Sequence, residues 1–302
     1  MISKSVAYLF PGQGIFSFDI LEKAKEFNNF IERYELISNA LGYEKSSRIK
    51  QQDEAVLCIN VVSSLLTVLY NSLAYDEYSF KNGKPNFLAG YSVGQWTALY
   101  ASNVVSFKEL VEIVRKRAEI MDDCIQNNPS TMIAVIGLPE EKVRAVVKRL
   151  QERGYFIELS NINCLGQYTL SLLKEVTTPA LEALEALLPK KIAVLPVSGG
   201  WHSSLLKQAQ ENFQRYLDGI DLGQISIPVV DNVTGKFLPL EISKLKIQLA
   251  RHLSFPVLWE TGIKTLIHSG CKEFIEIGYG NTLTKFGFFI DRSLNHLSLS
   301  HV

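Results

Sequence analysis

Apolar residues fall along this chain in two rhythms, short unbroken runs and longer stripes spaced three or four apart. Residues 6–10 (Val-Ala-Tyr-Leu-Phe) form a run that stops at Pro11-Gly12-Gln13-Gly14, the pattern of a buried strand ending in a glycine turn. Residues 19–41 are amphipathic and predict a helix. Residues 53–73 are apolar on most sides (Val56, Leu57, Ile59, Val62, Leu65, Leu66, Leu69) and predict a helix buried against a sheet. A second run, Phe87-Leu88-Ala89, leads through a turn into the helix-compatible stretch 95–100. Ser106 and Glu109 have capping-box spacing for a helix reaching about Asp123. Its apolar positions Leu110, Val111, Val114, Ala118 and Met121 form one stripe, leaving Arg115, Lys116 and Arg117 to the other faces, where such residues are ordinarily solvated.

The pattern then changes. Residues 132–136, 155–159, 168–173 and 192–197 read as strands, with helices over 139–150 and from Pro179 to Leu188, the latter capped by Thr178. The order is βαββαβ, a ferredoxin-like unit. It predicts an α/β-hydrolase-like large subdomain made of 1–130 and 199–302, interrupted by a small ferredoxin-like subdomain at 131–198. Asn161, Asn163 and Gln167 fall between the middle strands of the insert, as plain loop residues or as groups facing a cleft. In the returning segment, 205–218 and 262–269 are helical, and 227–231 and 274–277 are strands.

Composition alters this picture little. With 302 residues, 47% of them hydrophobic, the chain buries a sizeable core, and 31 basic against 31 acidic residues give no electrostatic case for nucleic acid or an anionic membrane. No apolar stretch approaches the roughly 18 residues of a spanning helix, so a cytoplasmic location is expected. Cys58, Cys124, Cys164 and Cys271 lie far apart without CxxC spacing, which argues against a disulfide framework and a structural zinc site.

The candidate chemistry centres on Gly90-Tyr91-Ser92-Val93-Gly94. A strand turning at once into a helix crowds the residue at the corner, so the positions two away on either side must lack a Cβ, and the following helix aims its free N–H groups at the serine. A serine hydroxyl needs a base. Of the five histidines, His296 and His301 lie in the polar tail, His268 at a helix end and His252 in Arg251-His252-Leu253. His202 alone sits in a glycine-opened loop, Ser198-Gly199-Gly200-Trp201-His202-Ser203, at the junction between the subdomains. Gln13 falls at the carboxyl end of a strand, where ligands bind in open α/β sheets and where simple turns also occur.

These pieces coincide in one family. Phe10-Pro11-Gly12-Gln13-Gly14, the serine elbow, Val114-Arg115-Lys116-Arg117, Asn161-Ile162-Asn163, Val197 to Ser203, Asn232-Val233-Thr234-Gly235, Phe255-Pro256-Val257-Leu258-Trp259 and Glu276-Ile277-Gly278 resemble, in order and spacing, the malonyl-CoA:acyl carrier protein transacylases. The resemblance covers nearly the whole chain. It implies the same two-subdomain fold, with the site in the cleft between the parts. It implies a ping-pong acyltransferase in which Ser92 is the nucleophile and His202 the base, oriented by the backbone carbonyl at His252. The backbone N–H groups of Gln13 and Val93 form the oxyanion hole, and Arg117 grips the free carboxylate of a malonyl group. The partners implied are malonyl-CoA or a related acyl thioester and an acyl carrier protein, docked by Lys190, Lys191 or the Arg115-Lys116 pair. No metal or other cofactor is implied.

Departures from the family pattern bear on substrate. Tyr91 replaces the histidine and Gln95 the acid of the usual GHSxGE, Asp53-Glu54 stands where Gln-Pro is common, and Tyr279 where proline is. Trp201, before the base, is bulky, which favours malonyl or malonyl with a compact polar substituent. Together these predict a discrete acyltransferase acting in trans on a polyketide or hybrid assembly line, with fatty-acid synthesis and loading of a substituted malonyl unit as alternatives. A hydrolase clearing acyl groups from carriers is another alternative, against which Arg117 counts. A lipase would need an acidic triad member and has no use for the insert.

Overall fold

The computed structural model describes residues 5–14 and 17–299; His301 lies outside them. The first half lays down β1 (Ser5–Phe10), α1 (Asp19–Ala24), α2 (Phe30–Lys50), α3 (Asn60–Asn82), β2 (Phe87–Gly90), α4 (Gly94–Ala101) and α5 (Phe107–Ile125). The insert follows as β3 (Ser130–Ile136), α6 (Glu140–Glu152), β4 (Ile157–Cys164), β5 (Gln167–Leu173), α7 (Thr177–Glu185) and β6 (Lys191–Val194). The chain closes with α8 (Lys207–Asp218), β7 (Val229–Val230), α9 (Ile242–Arg251), β8 (Val257–Leu258), α10 (Trp259–His268), β9 (Cys271–Glu276), α11 (Thr282–Ile290) and β10 (Asn295–Ser298).

Two five-stranded sheets result. The first, β10-β9-β1-β2-β7, is parallel at every pairing, and its central strand β1 is apolar on both faces because helices cover both. The second runs β6-β3-β5-β4-β8. Its first four strands are antiparallel in the ferredoxin-like order, and β8, from the returning segment, adds in parallel to β4 through Asn161 and Ile162. That added strand stitches the two subdomains together.

Several local expectations change. The helix expected over 19–41 is two helices, broken where Asn29 turns left-handed (φ 63°), and the second runs on to Lys50 through a kink at Gly42. The stretch 53–73 opens with a 3₁₀ turn capped by Asp53, after which α3 continues to Asn82. Helix α7 starts at Thr177 rather than after a Thr178 cap. Asn161 and Asn163 are not in a loop: β4 extends through them, and only Leu165 and Gly166 connect it to β5. The pairing that holds them in a strand comes from the adjacent β5 and from β8, the latter distant in sequence and too short to read from periodicity.

Candidate active site

Ser92 stands at the corner between β2 and α4 with φ 51°, a left-handed backbone that a non-glycine residue adopts only under constraint. The flanking glycines explain how the corner fits. A Cβ on Gly90 would come within 2.1 Å of the Gly94 carbonyl oxygen, and one on Gly94 within 2.3 Å of the Phe10 carbonyl oxygen. Asn232, just past β7, clamps the turn. Its Oδ1 accepts the Ser92 backbone N–H at 2.9 Å, while its Nδ2 donates to the Gly90 carbonyl and to Gln95 Oε1, both at 2.7 Å. Gln95 is fully buried and spends its oxygen on Asn232, taking the Asn232 N–H as well at 2.9 Å. The amide that replaces the usual acid therefore braces the elbow and leaves its own Nε2 unpaired.

His202 reaches the serine. Its Nε2 lies 2.8 Å from Ser92 Oγ, and its Nδ1 lies 2.8 Å from the carbonyl oxygen of His252. A carbonyl can only accept, so Nδ1 carries the proton and the Nε2 lone pair faces the hydroxyl. His252 follows the last residue of α9, where carbonyls lack intrahelical partners and the helix dipole is negative, so a helix end supplies what an aspartate supplies in a triad. The loop itself hangs on the small sheet: Ser130 Oγ accepts from Gly200 N–H at 2.9 Å, and Ser171 Oγ donates to the Trp201 carbonyl at 2.5 Å. His202 also has positive φ (56°) and is buried. Burial, and then the Arg117 cation, push its pKa down to about 3, so the ring is neutral at physiological pH and its Nε2 lone pair is free to accept a proton.

Arg117 is 1% exposed and makes no ion pair among the described residues; its Nε and Nη2 have no hydrogen-bond partner. Burial lowers its pKa to about 10, which still leaves it charged. It lies on the inward stripe of α5 with Val114, Ala118 and Met121, not on a solvated face, whereas Arg115 and Lys116 lie outside against Glu119. The i, i+3 spacing from Val114 was the available signal. A buried, unpaired guanidinium beside the serine's base is a site made for an anion that arrives with a ligand.

The remaining predicted residues line the cleft. One hollow of about 350 Å³ lies between the Pro11–Gly14 turn, Tyr91 and Tyr279 on one side and β3, β5 and Asn163 on the other. A second, of about 100 Å³, lies between Gln13, Cys58 and Asn60 and the Leu195–Ser198 segment with Trp201. Gln13 belongs to both walls. Ser92, His202 and Arg117 line neither. Tyr91 donates its hydroxyl hydrogen to Asn163 Oδ1 at 2.7 Å, closing a bridge between the subdomains, and its ring packs edge-on to Trp259. Trp201 is buried, its ring against Gly199, where any Cβ would fall 2.6 Å from the indole. The backbone N–H groups of Gln13 and Val93 have no partner among the described residues. Gly278, of Glu276-Ile277-Gly278, leaves room for Pro11, whose Cγ a Cβ there would meet at 2.3 Å. Glu276 caps α11 by accepting the N–H groups of Leu283 and Thr284.

No family model matches the chain. Individual relatives do. The chain is 33% identical over 299 residues to the malonyl CoA-acyl carrier protein transacylase of Bacillus subtilis (strain 168), a match spanning 98% of this chain and 93% of the relative. It belongs to the malonyl CoA-acyl carrier protein transacylase family. The transacylase of Staphylococcus aureus (strain COL) is 32% identical across 97% of this chain and 94% of its own. Among solved structures, the acyl-carrier-protein S-malonyltransferase of Burkholderia pseudomallei 1710b superposes with a TM-score of 0.90 at 28% identity, covering 99% of this chain and 97% of that one. A malonyl-transacylase in complex with a type II PKS acyl-carrier protein gives 0.87 at 27%, over 99% and 96%. The transacylase fold, a large α/β part with a ferredoxin-like insert, is thus the fold of this chain. None of its helices in the described residues is long and apolar enough to cross a membrane.

Proposed function

We propose that this transacylase moves a malonyl group from malonyl-CoA to the phosphopantetheine thiol of an acyl carrier protein through an acyl-enzyme on Ser92, as a discrete enzyme serving a polyketide or hybrid assembly line in trans. The observation that carries the malonyl assignment is Arg117, a buried cation with free donors next to the base. A guanidinium offers two parallel N–H bonds to a carboxylate, and an uncharged acyl group would leave it unpaired in the closed site.

Ser92 Oγ attacks the thioester carbon while its proton passes to His202 Nε2. The negative charge on the former carbonyl oxygen falls to the Gln13 and Val93 N–H groups, and the Ser92 N–H, spent on Asn232, takes no part. Collapse expels the CoA thiolate, which takes the proton from the imidazolium. The carrier thiol then runs the same steps in reverse and regenerates the hydroxyl. No cofactor beyond the thioester donor and the carrier's thiol is needed. The bulk of Trp201 supports malonyl itself over branched extender units. Support for the polyketide setting comes from the departures at Tyr91, Gln95 and Tyr279.

Intact-mass measurement after mixing with malonyl-CoA tests the reading. A malonyl adduct that persists without carrier protein, transfers to it when added and disappears in Ser92→Ala is expected. Rapid release of free malonate without carrier would make the protein a hydrolase.

A further inference from the structure

The loop carrying Gln13 is tied to two helices by a continuous run of partly buried hydrogen bonds. Gln13 Nε2 donates to Asn60 Oδ1 at 2.8 Å, to Ser64 Oγ at 2.7 Å and to the Asn60 carbonyl at 3.1 Å. Asn60 Nδ2 donates to Asp122 Oδ1 at 3.1 Å and, more distantly, to the Ala118 carbonyl at 3.4 Å. Asn60 and Ser64 sit one turn apart on α3, and Asp122 comes from α5, the helix of Arg117.

The run has a direction. A primary amide has one accepting and one donating end, and Gln13 presents a donor, so Asn60 must turn its oxygen to Gln13 and its nitrogen away. An ionised carboxylate only accepts, so Asp122 fixes that orientation. Protonated, it can turn a hydroxyl donor to Asn60, and replaced by an apolar residue it offers no acceptor; either weakens the hold on that orientation, leaving the longer bond to the Ala118 carbonyl. Among the described residues, Asn71 Nδ2 also holds this turn, donating to the Pro11 carbonyl at 2.9 Å.

We propose that Asp122, acting through Asn60, is a positioning residue that holds Gln13 with its backbone N–H aimed at the acyl oxygen. The inference rests on the oxyanion role given to Gln13 above. It carries a pH signature. Burial raises the Asp122 carboxyl to about 6, the Asn60 bond and Lys45 opposing and Asp123 reinforcing, whereas His202 stays neutral down to about 3. Acid loss near neutrality therefore belongs to Asp122, since its ionised form is the active one.

The test is the single-turnover rate of Ser92 malonylation by malonyl-CoA from about pH 5 to about pH 8. Wild type should lose about tenfold across that range, with a midpoint near the Asp122 value. Asp122→Asn, whose amide like the protonated acid carries a donor beside its acceptor, should lose the acid limb and acylate at about the wild-type acid-limit rate at every pH. Asp122→Leu should be slow at every pH, by about tenfold, with malonyl-CoA affinity unchanged. The proposal is overturned if Asp122→Asn keeps the limb, if wild type has none, or if a folded Asp122→Leu acylates at the wild-type rate. Absence of any adduct in wild type would instead sink the acyl-enzyme reading. The Asp122→Asn profile decides even where the leucine variant does not fold.

Discussion

Asn232 Oδ1 holds the backbone N–H of Ser92 at 2.9 Å, across a sequence gap that makes β7 part of the nucleophile's turn. One side chain satisfies the N–H of the strained residue and, through Nδ2, the carbonyl of Gly90. Asn232→Ala removes the side-chain bonds to both groups and one of the two that Gln95 Oε1 accepts, leaving Gln95 the Asn232 backbone N–H. The loss should be about 2–4 kcal/mol, seen as a lower urea midpoint. Acylation of the remaining folded enzyme should slow by at least about tenfold, because the left-handed Ser92 backbone then relaxes. An unchanged midpoint would mean that the elbow holds its shape without the clamp.

Arg117 stabilises the ligand at the expense of the empty protein. Its charge is buried with no partner among the described residues, so Arg117→Met should raise the stability of the free enzyme by about 1–3 kcal/mol, measured by denaturant titration. Malonylation of Ser92 should fall by about a hundredfold or more, while acetylation from acetyl-CoA holds or rises. Removing the cation also removes the second cause of the low His202 pKa, which should move up from about 3 toward 6.5 in a histidine NMR titration. The sign for stability follows. In wild type the native ring refuses protons that the unfolded chain accepts, so stability falls as pH drops from 6.5 toward 3, and the window narrows in the variant.

What could be read from the sequence divides along physical lines. The order of the βαββαβ insert, the Ser92 corner and the capping box at Ser106 were legible because each is set by local periodicity or by local steric demand. The break at Asn29, the late end of β4 and the two-residue β7 and β8 were not, since pairing with distant strands or packing of neighbouring helices decides them. In the site, Gln13, Ser92 and His202 stood out through glycine spacing. Asn232 was visible only as part of a motif without a role, because its bonds go to backbone groups far away in sequence. Asp122 and Asn60 belong to no spaced motif, and Asn60 heads a row of small polar residues on α3 with Ser64, Thr67 and Asn71 that by itself points to no ligand.

The carrier protein has two candidate basic landing points, and the ion pairs separate them. Arg115 and Lys116 are held by Glu119 at 2.6 and 3.8 Å, while Lys190 and Lys191, beside the Leu195 wall of the cleft, are exposed and form no ion pair among the described residues. Lys190→Glu with Lys191→Glu should therefore raise the KM for an acidic carrier protein about tenfold and leave Ser92 malonylation by malonyl-CoA unchanged, with the wild-type advantage shrinking as salt is added. Charge reversal at Arg115 and Lys116 should do less. Equal effects at the two places would mean a broad electrostatic field rather than a docking point.

His252 touches the reaction through its main chain, and its ring is a separate matter. The imidazole is buried and stacks on His202 with centroids 5.0 Å apart and planes 25° from parallel, yet neither nitrogen has a hydrogen-bond partner among the described residues. Burial, His202 and Arg117 hold it neutral, so it adds no charge to the site. The bond that orients the base runs from His202 Nδ1–H to the His252 carbonyl, and that carbonyl is fixed by the end of α9, not by what hangs from the Cα. His252→Gln and His252→Leu should therefore both retain Ser92 malonylation within about threefold. The leucine variant should also gain stability, by about 1 kcal/mol, since it removes two unsatisfied buried polar atoms against the loss of one ring contact. Single-turnover acylation and urea titration read the two effects separately. A hundredfold loss of acylation in both variants, with the fold intact, would show that the stacked ring rather than the helix-end carbonyl sets the position of His202.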